Sequence, residues 1–385
     1  MPTIPNPLTR VIRYARRHGV ASGLHKAARF GLRAASMPDL PMTIHVEVSN
    51  CCNLHCEYCV LDKGAQGDRV MSEATFERVL PYLRNALRVN VSGLAEPLMN
   101  RRFVDMLAEI RRVAPTAAIQ MCTNAALLTE EISHRLVDSK LDEVAFSLDD
   151  DDARLFDSVR RGASLTGLLE NIAALRTVTA DRGADRPALT ATTVLQRKNV
   201  GHFPNVVRLA GEMGVTTINA NGLEPYVAEL VDTPIWSDPD SVEGLADSLR
   251  SAKAMAERYG IELRMTAMRP QPALCPQIYR PIIMADGAVV PCSVLAYPRD
   301  SFLKVDENGL LVRHEGTTPR MSFGNVNERS FRAIWRSPEY RRFRKRVVAG
   351  DFPDSCKTCL MKHYVICPQP PMSIDRCIEI VEAGA

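Results

Sequence analysis

The chain has 385 residues, 46% hydrophobic and 24% charged, with a formal net charge of +3. That is ordinary globular material, enough for one large α/β unit and a smaller domain. Charge this near balance gives no ground for nucleic-acid binding, and no apolar run reaches the length of a membrane span.

Residues 1–41 are basic, through Arg10, Arg13, Arg16, Arg17, Lys26, Arg29 and Arg33, with Val11, Ile12, Tyr14 and Val20 partly interleaved. The stretch reads as a solvated helix packed on the main domain; a partner-docking or membrane-surface helix is the other reading. The chain opens Met1-Pro-Thr-Ile-Pro-Asn-Pro without the apolar core of a secretion signal, so a cytoplasmic protein is expected. Pro38 and Pro41 mark the exit.

From Thr43 short apolar strands alternate with amphipathic helices. The strands are expected at Thr43–Val48, Val89–Ser92, Ala118–Thr123, Glu143–Leu148, Ala188–Leu195, Thr216–Asn221 and Ile261–Met265. The helices are expected at Ser72–Leu87, Arg102–Val113, Glu130–Asp138, Leu165–Thr177, Phe203–Met213 and Asp238–Tyr259. This alternation predicts a parallel sheet with crossover helices, whose functional loops leave the carboxyl ends of the strands. After Met268 prolines cluster and most of the remaining cysteines appear. The expected division is therefore 1–41, 42–268 and 269–385.

Eleven cysteines in a long chain without an export signal read better as metal ligands than as disulfides. Cys52, Cys56 and Cys59 form a CxxxCxxC run on the loop after the first strand. Three thiolates on one loop can hold three corners of a four-iron four-sulfur cluster and leave the fourth iron open. A zinc loop is the alternative, though zinc prefers four ligands. Cys51 is out of register and reads as a buried filler.

The segment from Glu47 to Cys59 resembles the cluster loop of the radical SAM superfamily, and the resemblance extends over nearly the whole chain from about residue 43. Ser92-Gly-Leu-Ala-Glu-Pro-Leu98 is similar to the family's GGEP segment, without its second glycine. Met121-Cys-Thr-Asn124 is similar to the threonine-asparagine-glycine end of the third strand, with Ala125 in place of the glycine. Ser147-Leu-Asp149 resembles the end of the fourth strand, and Ile218 to Pro225 the sixth-strand segment that passes near adenine. The resemblance implies a partial (β/α)6 TIM-like barrel with a small C-terminal iron–sulfur domain. It also implies S-adenosylmethionine chelated to the open iron of a 4Fe-4S cluster. Gly93 and Glu96 would receive its ammonium group, and Ser147 its ribose or carboxylate. Arg160, in competition with Arg161, would neutralise the carboxylate. Tyr58 would lie against adenine, and Asn124 would join the cofactor site. Reductive cleavage would then give a 5′-deoxyadenosyl radical that abstracts hydrogen.

The C-terminal region resembles the auxiliary-cluster extension called SPASM, or its shorter twitch form. Gly287 to Cys292 matches its GxxxxC hairpin, and Ser322-Phe-Gly-Asn-Val with Ser330 to Tyr340 its connecting turn and helix. Cys275, Cys292, Cys356 and Cys359 would close at least one auxiliary 4Fe-4S cluster. Cys367 and Cys377 remain, as spare thiols or as ligands of a second auxiliary cluster with an incomplete shell. An auxiliary cluster can take an electron from a substrate radical and complete a two-electron oxidation. Cys122, at the end of the third strand, can instead donate a hydrogen atom and invert a stereocentre.

Residues 1–41 are short and uniformly basic for a leader-binding domain. The expected substrate is thus a small polar metabolite, of sugar or aminocyclitol type, which the enzyme oxidises or epimerises as an antibiotic pathway would require. The acidic run Asp149–Asp152 reads as a solvated turn, or as a loop that greets an amine. Maturation of a ribosomally made peptide and a non-catalytic iron–sulfur or zinc protein are the alternatives. The electron donor is expected to be of flavodoxin or ferredoxin type.

Overall fold

The computed structural model describes residues 40–61, 69–237, 244–266, 275–306, 311–357, 359–360 and 373–382. The basic stretch 1–41, apart from its last two residues, and Cys367 lie outside the described residues.

Seven strands run parallel in chain order: β1 (Thr43–Val46), β2 (Arg88–Asn90), β3 (Ala118–Thr123), β4 (Glu143–Ser147), β5 (Ala188–Leu195), β6 (Thr217–Gly222) and β7 (Glu262–Met265). Between them lie α1 (Glu73–Leu83), α2 (Phe103–Val113), α3 (Glu130–Asp138), α4 (Ala153–Val159), α5 (Leu165–Asp181), α6 (Phe203–Glu212) and α7 (Leu245–Tyr259). The expected helix starts hold to within a residue where a cap defines them. Ser72 and Ser164 accept from the backbone N–H groups of Thr75 and Gly167, at the starts of α1 and α5. Helix α5 runs four residues beyond Thr177 because Val178 extends the buried row of Leu168, Ile172 and Leu175. Helix α4 had no signal of its own in the sequence. Its start is fixed by Asp152, whose carboxylate accepts from Arg154 N and Leu155 N.

The sheet order is β7-β6-β5-β4-β3-β2-β1-β8-β9. Strand β8 (Ile282–Ile283) pairs parallel with β1, and β9 (Val289–Val290) turns back against it. The segment beyond residue 268 therefore extends the same sheet. Gly287 makes the β8–β9 turn at φ +85°, where a Cβ would stand 2.5 Å from Asn325 Oδ1. Hairpin β10 (Arg299–Val305) and β11 (Leu311–Thr318) stands apart, followed by α8 (Phe331–Trp335), α9 (Pro338–Val348), α10 (Asp354–Lys357) and α11 (Ile374–Glu382). Phe323 stacks on Tyr340 at 4.1 Å and Trp335 meets the same ring edge-on, which gives this region an aromatic core.

The two faces of the parallel sheet differ. Ile119 and Met121 of β3 join the buried core beneath the helices. The alternate residues carry polar groups: Arg88 Nη1 donates to Gln120 at 2.8 Å and faces Glu143 at 3.6 Å, and Thr190 donates to Glu143 at 2.8 Å. A polar inner face is expected of a sheet that curls around a cofactor rather than an apolar filling.

Candidate active site

The three-cysteine loop leaves β1 and is tied down along its length. His55 N donates to Arg161 O and Glu57 N to Val159 O, both at 2.8 Å, while Lys198 pairs with Glu57 at 2.7 Å. Cys52, Cys56 and Cys59 are half-buried. Burial pushes the Cys56 thiol up; Arg160 opposes this, and Cys59 and Cys52 add to it. The three sulfurs thus share one electrostatic neighbourhood. Cys51 is buried, and its Sγ lies 3.5 Å from Arg69 O.

Glu96 fastens the β2 loop to the end of β3. Its Oε1 accepts from Leu98 N at 3.0 Å and the Thr123 hydroxyl at 2.8 Å, and its Oε2 from Asn124 N at 2.7 Å. Burial pushes its carboxyl up to about 7 against these donors. The Asn124 side chain turns to the cluster loop, donating to Asn53 Oδ1 at 3.0 Å and lying 3.7 Å from Cys52 Sγ. Ala125 follows at φ 60°, which explains the glycine expected at that position: the backbone there is left-handed. Gly93 has a neighbour that sequence reasoning missed. A Cβ at Gly93 would come within 2.3 Å of Glu47 Oε2. Glu47 is buried at the end of β1, accepts from the Tyr297 hydroxyl at 2.6 Å and is pushed by burial up to about 7.

Asp149 is the second residue that sequence reasoning undervalued. Only the second half of the acidic run is solvated: Asp149 and Asp150 are each 1% exposed, whereas Asp151 is half-buried and Asp152 exposed. Asp149 Oδ2 accepts from the Tyr58 hydroxyl at 2.6 Å and from Arg160 Nε at 2.7 Å, and Oδ1 accepts from Val194 N at 2.8 Å. Asp150 pairs with His202 at 2.9 Å. These carboxylates are committed inside the protein, which corrects the expectation that they greet an amine. Arg160 is buried while Arg161 is exposed and donates to His55 O, so the structure separates the two competitors. Burial works against the charge on Arg160, yet Asp149, Tyr58 and Cys56 hold it well above its ordinary range. Ser147 is buried at the end of β4, in register with Thr192. Cys122 shares its face of β3 with Gln120, and burial followed by the Glu96 charge pushes its thiol up to about 11.

In the C-terminal region Cys275, Cys292, Cys356 and Cys359 are brought together. Burial first, then Cys359, with Cys275 and Cys356 adding, pushes the Cys292 thiol far up. Cys377 stands elsewhere: fully buried on α11, it donates to Thr266 O at 3.6 Å, and burial alone pushes it up to about 12. Cys59 and Ala95 pack against a small apolar cluster that includes Leu61, Ile282, Met284, Val290 and Tyr297, whereas Cys275, Cys292 and Cys356 pack against the main core.

Both groups fit iron–sulfur clusters. The described cysteines form no disulfide, and no three of their sulfurs lie within 4.8 Å of one another. A tetrahedral zinc with Zn–S of about 2.3 Å would draw its sulfurs to about 3.8 Å. Soft thiolates on two wider cradles suit cubanes.

Comparison with known proteins agrees. Residues 46–210 match the model of the radical SAM superfamily, and residues 275–360 match that of the SPASM iron–sulfur cluster-binding domain. The tungsten-containing aldehyde ferredoxin oxidoreductase cofactor-modifying protein of Pyrococcus furiosus is 26% identical over 328 residues, 83% of this chain and 87% of that one. The PqqA peptide cyclase of Gluconobacter oxydans is 24% identical over 341 residues, 85% of each chain. Among solved structures, Streptococcus suis SuiB bound to S-adenosylmethionine superposes with a TM-score of 0.57 at 15% identity, covering 88% of this chain and 78% of that one. Among the described residues no helix is long and apolar enough to cross a membrane. The chain thus carries a radical SAM domain followed by a SPASM domain, and these domains imply S-adenosylmethionine, the 4Fe-4S cluster that binds it and an auxiliary cluster as cofactors.

Proposed function

We propose that this enzyme matures a ribosomally made peptide. The reading rests on its similarity, along most of both chains, to a protein named PqqA peptide cyclase, together with a fold shared with SuiB, one structure of which is described as bound to the precursor peptide SuiA. The earlier preference for a sugar or aminocyclitol drew on residues 1–41, most of which lie outside the described residues. A substrate other than a peptide keeps one support, the relative whose name describes cofactor modification.

In this proposal Cys52, Cys56 and Cys59 hold the first cluster, and Cys275, Cys292, Cys356 and Cys359 hold the auxiliary one. Bound S-adenosylmethionine supplies a 5′-deoxyadenosyl radical that removes hydrogen from substrate carbon. Glu96 has three donors on a carboxylate with about four acceptor sites, which leaves room for an ammonium group beside Gly93. Arg160 gives Nε to Asp149, and its guanidinium would neutralise the methionyl carboxylate. Ser147 would meet the ribose or carboxylate and Tyr58 would lie against the adenine, while Asn124 braces Cys52. Cys122 keeps its proton at neutral pH, as a hydrogen-atom donor must. A flavodoxin- or ferredoxin-type protein delivers the electron.

The test uses anaerobically reconstituted enzyme with dithionite, S-adenosylmethionine and each short peptide encoded beside its gene. The expected result is 5′-deoxyadenosine together with a peptide that has lost hydrogen, seen by mass spectrometry. Nucleoside release with every peptide unchanged, and with a sugar or aminocyclitol oxidised instead, overturns the peptide reading.

A further inference from the structure

The loop after β6 carries a buried charge cluster that no step above uses. Arg299 opens β10, and its side chain is only 8% exposed. Its Nη1 donates to the Tyr226 hydroxyl oxygen at 2.6 Å, and its Nη2 reaches Glu224 Oε1 at 3.2 Å. Tyr226 in turn donates to Glu224 Oε2 at 2.7 Å, and the guanidinium lies 4.8 Å from the centre of the Tyr226 ring. Every member of the triangle binds the other two. The guanidinium is therefore fixed in position, with one face on an aromatic ring.

The position matters because of what else is near. Arg299 follows Cys292 by seven residues, and Leu360, the neighbour of Cys359, is buried in one cluster with Leu303 and Val305 of the strand that Arg299 opens. The Cys359 and Cys292 thiols both act on its charge. We infer that Arg299 is a positioning charge for the auxiliary cluster, held by Glu224 and Tyr226, and that it raises the cluster's reduction potential. A cluster on four thiolates is anionic and becomes more so by one charge on reduction. A fixed cation beside it favours the reduced form, and net charge near a cluster is one of the levers on its potential. Glu224 works in the opposite sense, so the pair sets the potential as a difference. Because Glu224 and Tyr226 follow β6, the setting is also joined to the mouth of the barrel, where the substrate radical forms. The inference depends on the auxiliary cluster and not on the peptide reading.

The test is a redox titration of the reconstituted full-length enzyme, followed by electron paramagnetic resonance. The S-adenosylmethionine-binding cluster is recognised by its spectral change when the cofactor is added. Arg299→Gln should lower the reduced-to-oxidised ratio of the auxiliary signal about tenfold at a fixed potential, about 59 mV for a one-electron couple. Arg299→Lys should recover most of that shift, and Glu224→Gln should shift the ratio in the opposite direction. The other cluster should not move. Opposite shifts in the two neutral variants support the inference. Shifts of the same sign, or no shift, overturn it. Should Arg299→Gln lose iron, the direction of the Glu224→Gln shift decides.

Discussion

The Tyr58 hydroxyl donates a 2.6 Å hydrogen bond to Asp149 Oδ2 across 91 residues of sequence. Tyr58 belongs to the cluster loop and Asp149 to the end of β4, so the bond sets where the loop sits over the barrel. The same oxygen holds Arg160, and the guanidinium stands 5.6 Å from the Tyr58 ring centre. One buried carboxylate thus positions both an aromatic and a cation beside the three-cysteine loop.

Removing that carboxylate should be costly. Asp149→Ala leaves Arg160 as an uncompensated buried charge, and the expected loss is about 3–5 kcal/mol of stability. Asp149→Asn, which keeps the shape, should fold better but bind S-adenosylmethionine at least tenfold more weakly. Denaturant titration reads the first effect and equilibrium binding the second. Undiminished cofactor affinity in both variants would remove Asp149 from the site.

Cysteine replacements should separate ligands from filler. Cys292→Ala should lower bound iron by about four per chain, the content of one cubane. Cys377→Ala should leave iron unchanged and cost only about 1–2 kcal/mol through the small cavity. Iron and sulfide analysis of the reconstituted variants checks both. Iron loss from Cys377→Ala would restore that residue to the ligand set.

Stability should depend on pH through Glu47. Its folded carboxyl titrates near 7 against an ordinary value of 4.5. The folded state therefore binds more protons than the unfolded chain between those values. Stability is fully supported below the lower value and falls as pH rises through the upper one, by on the order of 3 kcal/mol. The groups acting on Glu47 are Tyr297, Ala285 N, Asp286 and Arg320. Glu47→Gln should flatten the decline when urea unfolding is followed from pH 5 to 8, and an unchanged slope would contradict the assignment.

Ala125 offers a conformational test. It is fully buried at φ 60°, where a Cβ carries about 1–2 kcal/mol of strain. Ala125→Gly should be neutral or slightly stabilising, and Ala125→Val should destabilise by at least about 2 kcal/mol. Thermal unfolding under argon compares them.

The repeating βα part of the fold was legible because its signals are local. Strands β3 and β5 and helix α3 lie at their expected bounds, since apolar periodicity and caps act within a few residues. The cluster loop was legible for the same reason, as three cysteines in eight positions. Contacts between distant residues were not. Nothing in the order of residues says that Glu47 presses on Gly93 and meets Tyr297, or that Asp149 meets Tyr58. Those pairings depend on strand order and on which way each side chain faces. The choice between spare thiol and ligand at Cys377 was open for a related reason: the order of residues does not show α11 packed on α7 and β7.

The pairing of β8 with β1 has a mechanical consequence. The strand that launches the first cluster loop also carries, as its hydrogen-bonded neighbour, the hairpin that ends at Cys292. The first cluster loop and Cys292 are therefore referenced to neighbouring strands of one sheet. However the chain travels from Thr266 to Cys275, lengthening that passage should leave the seat of the hairpin against β1 unaltered.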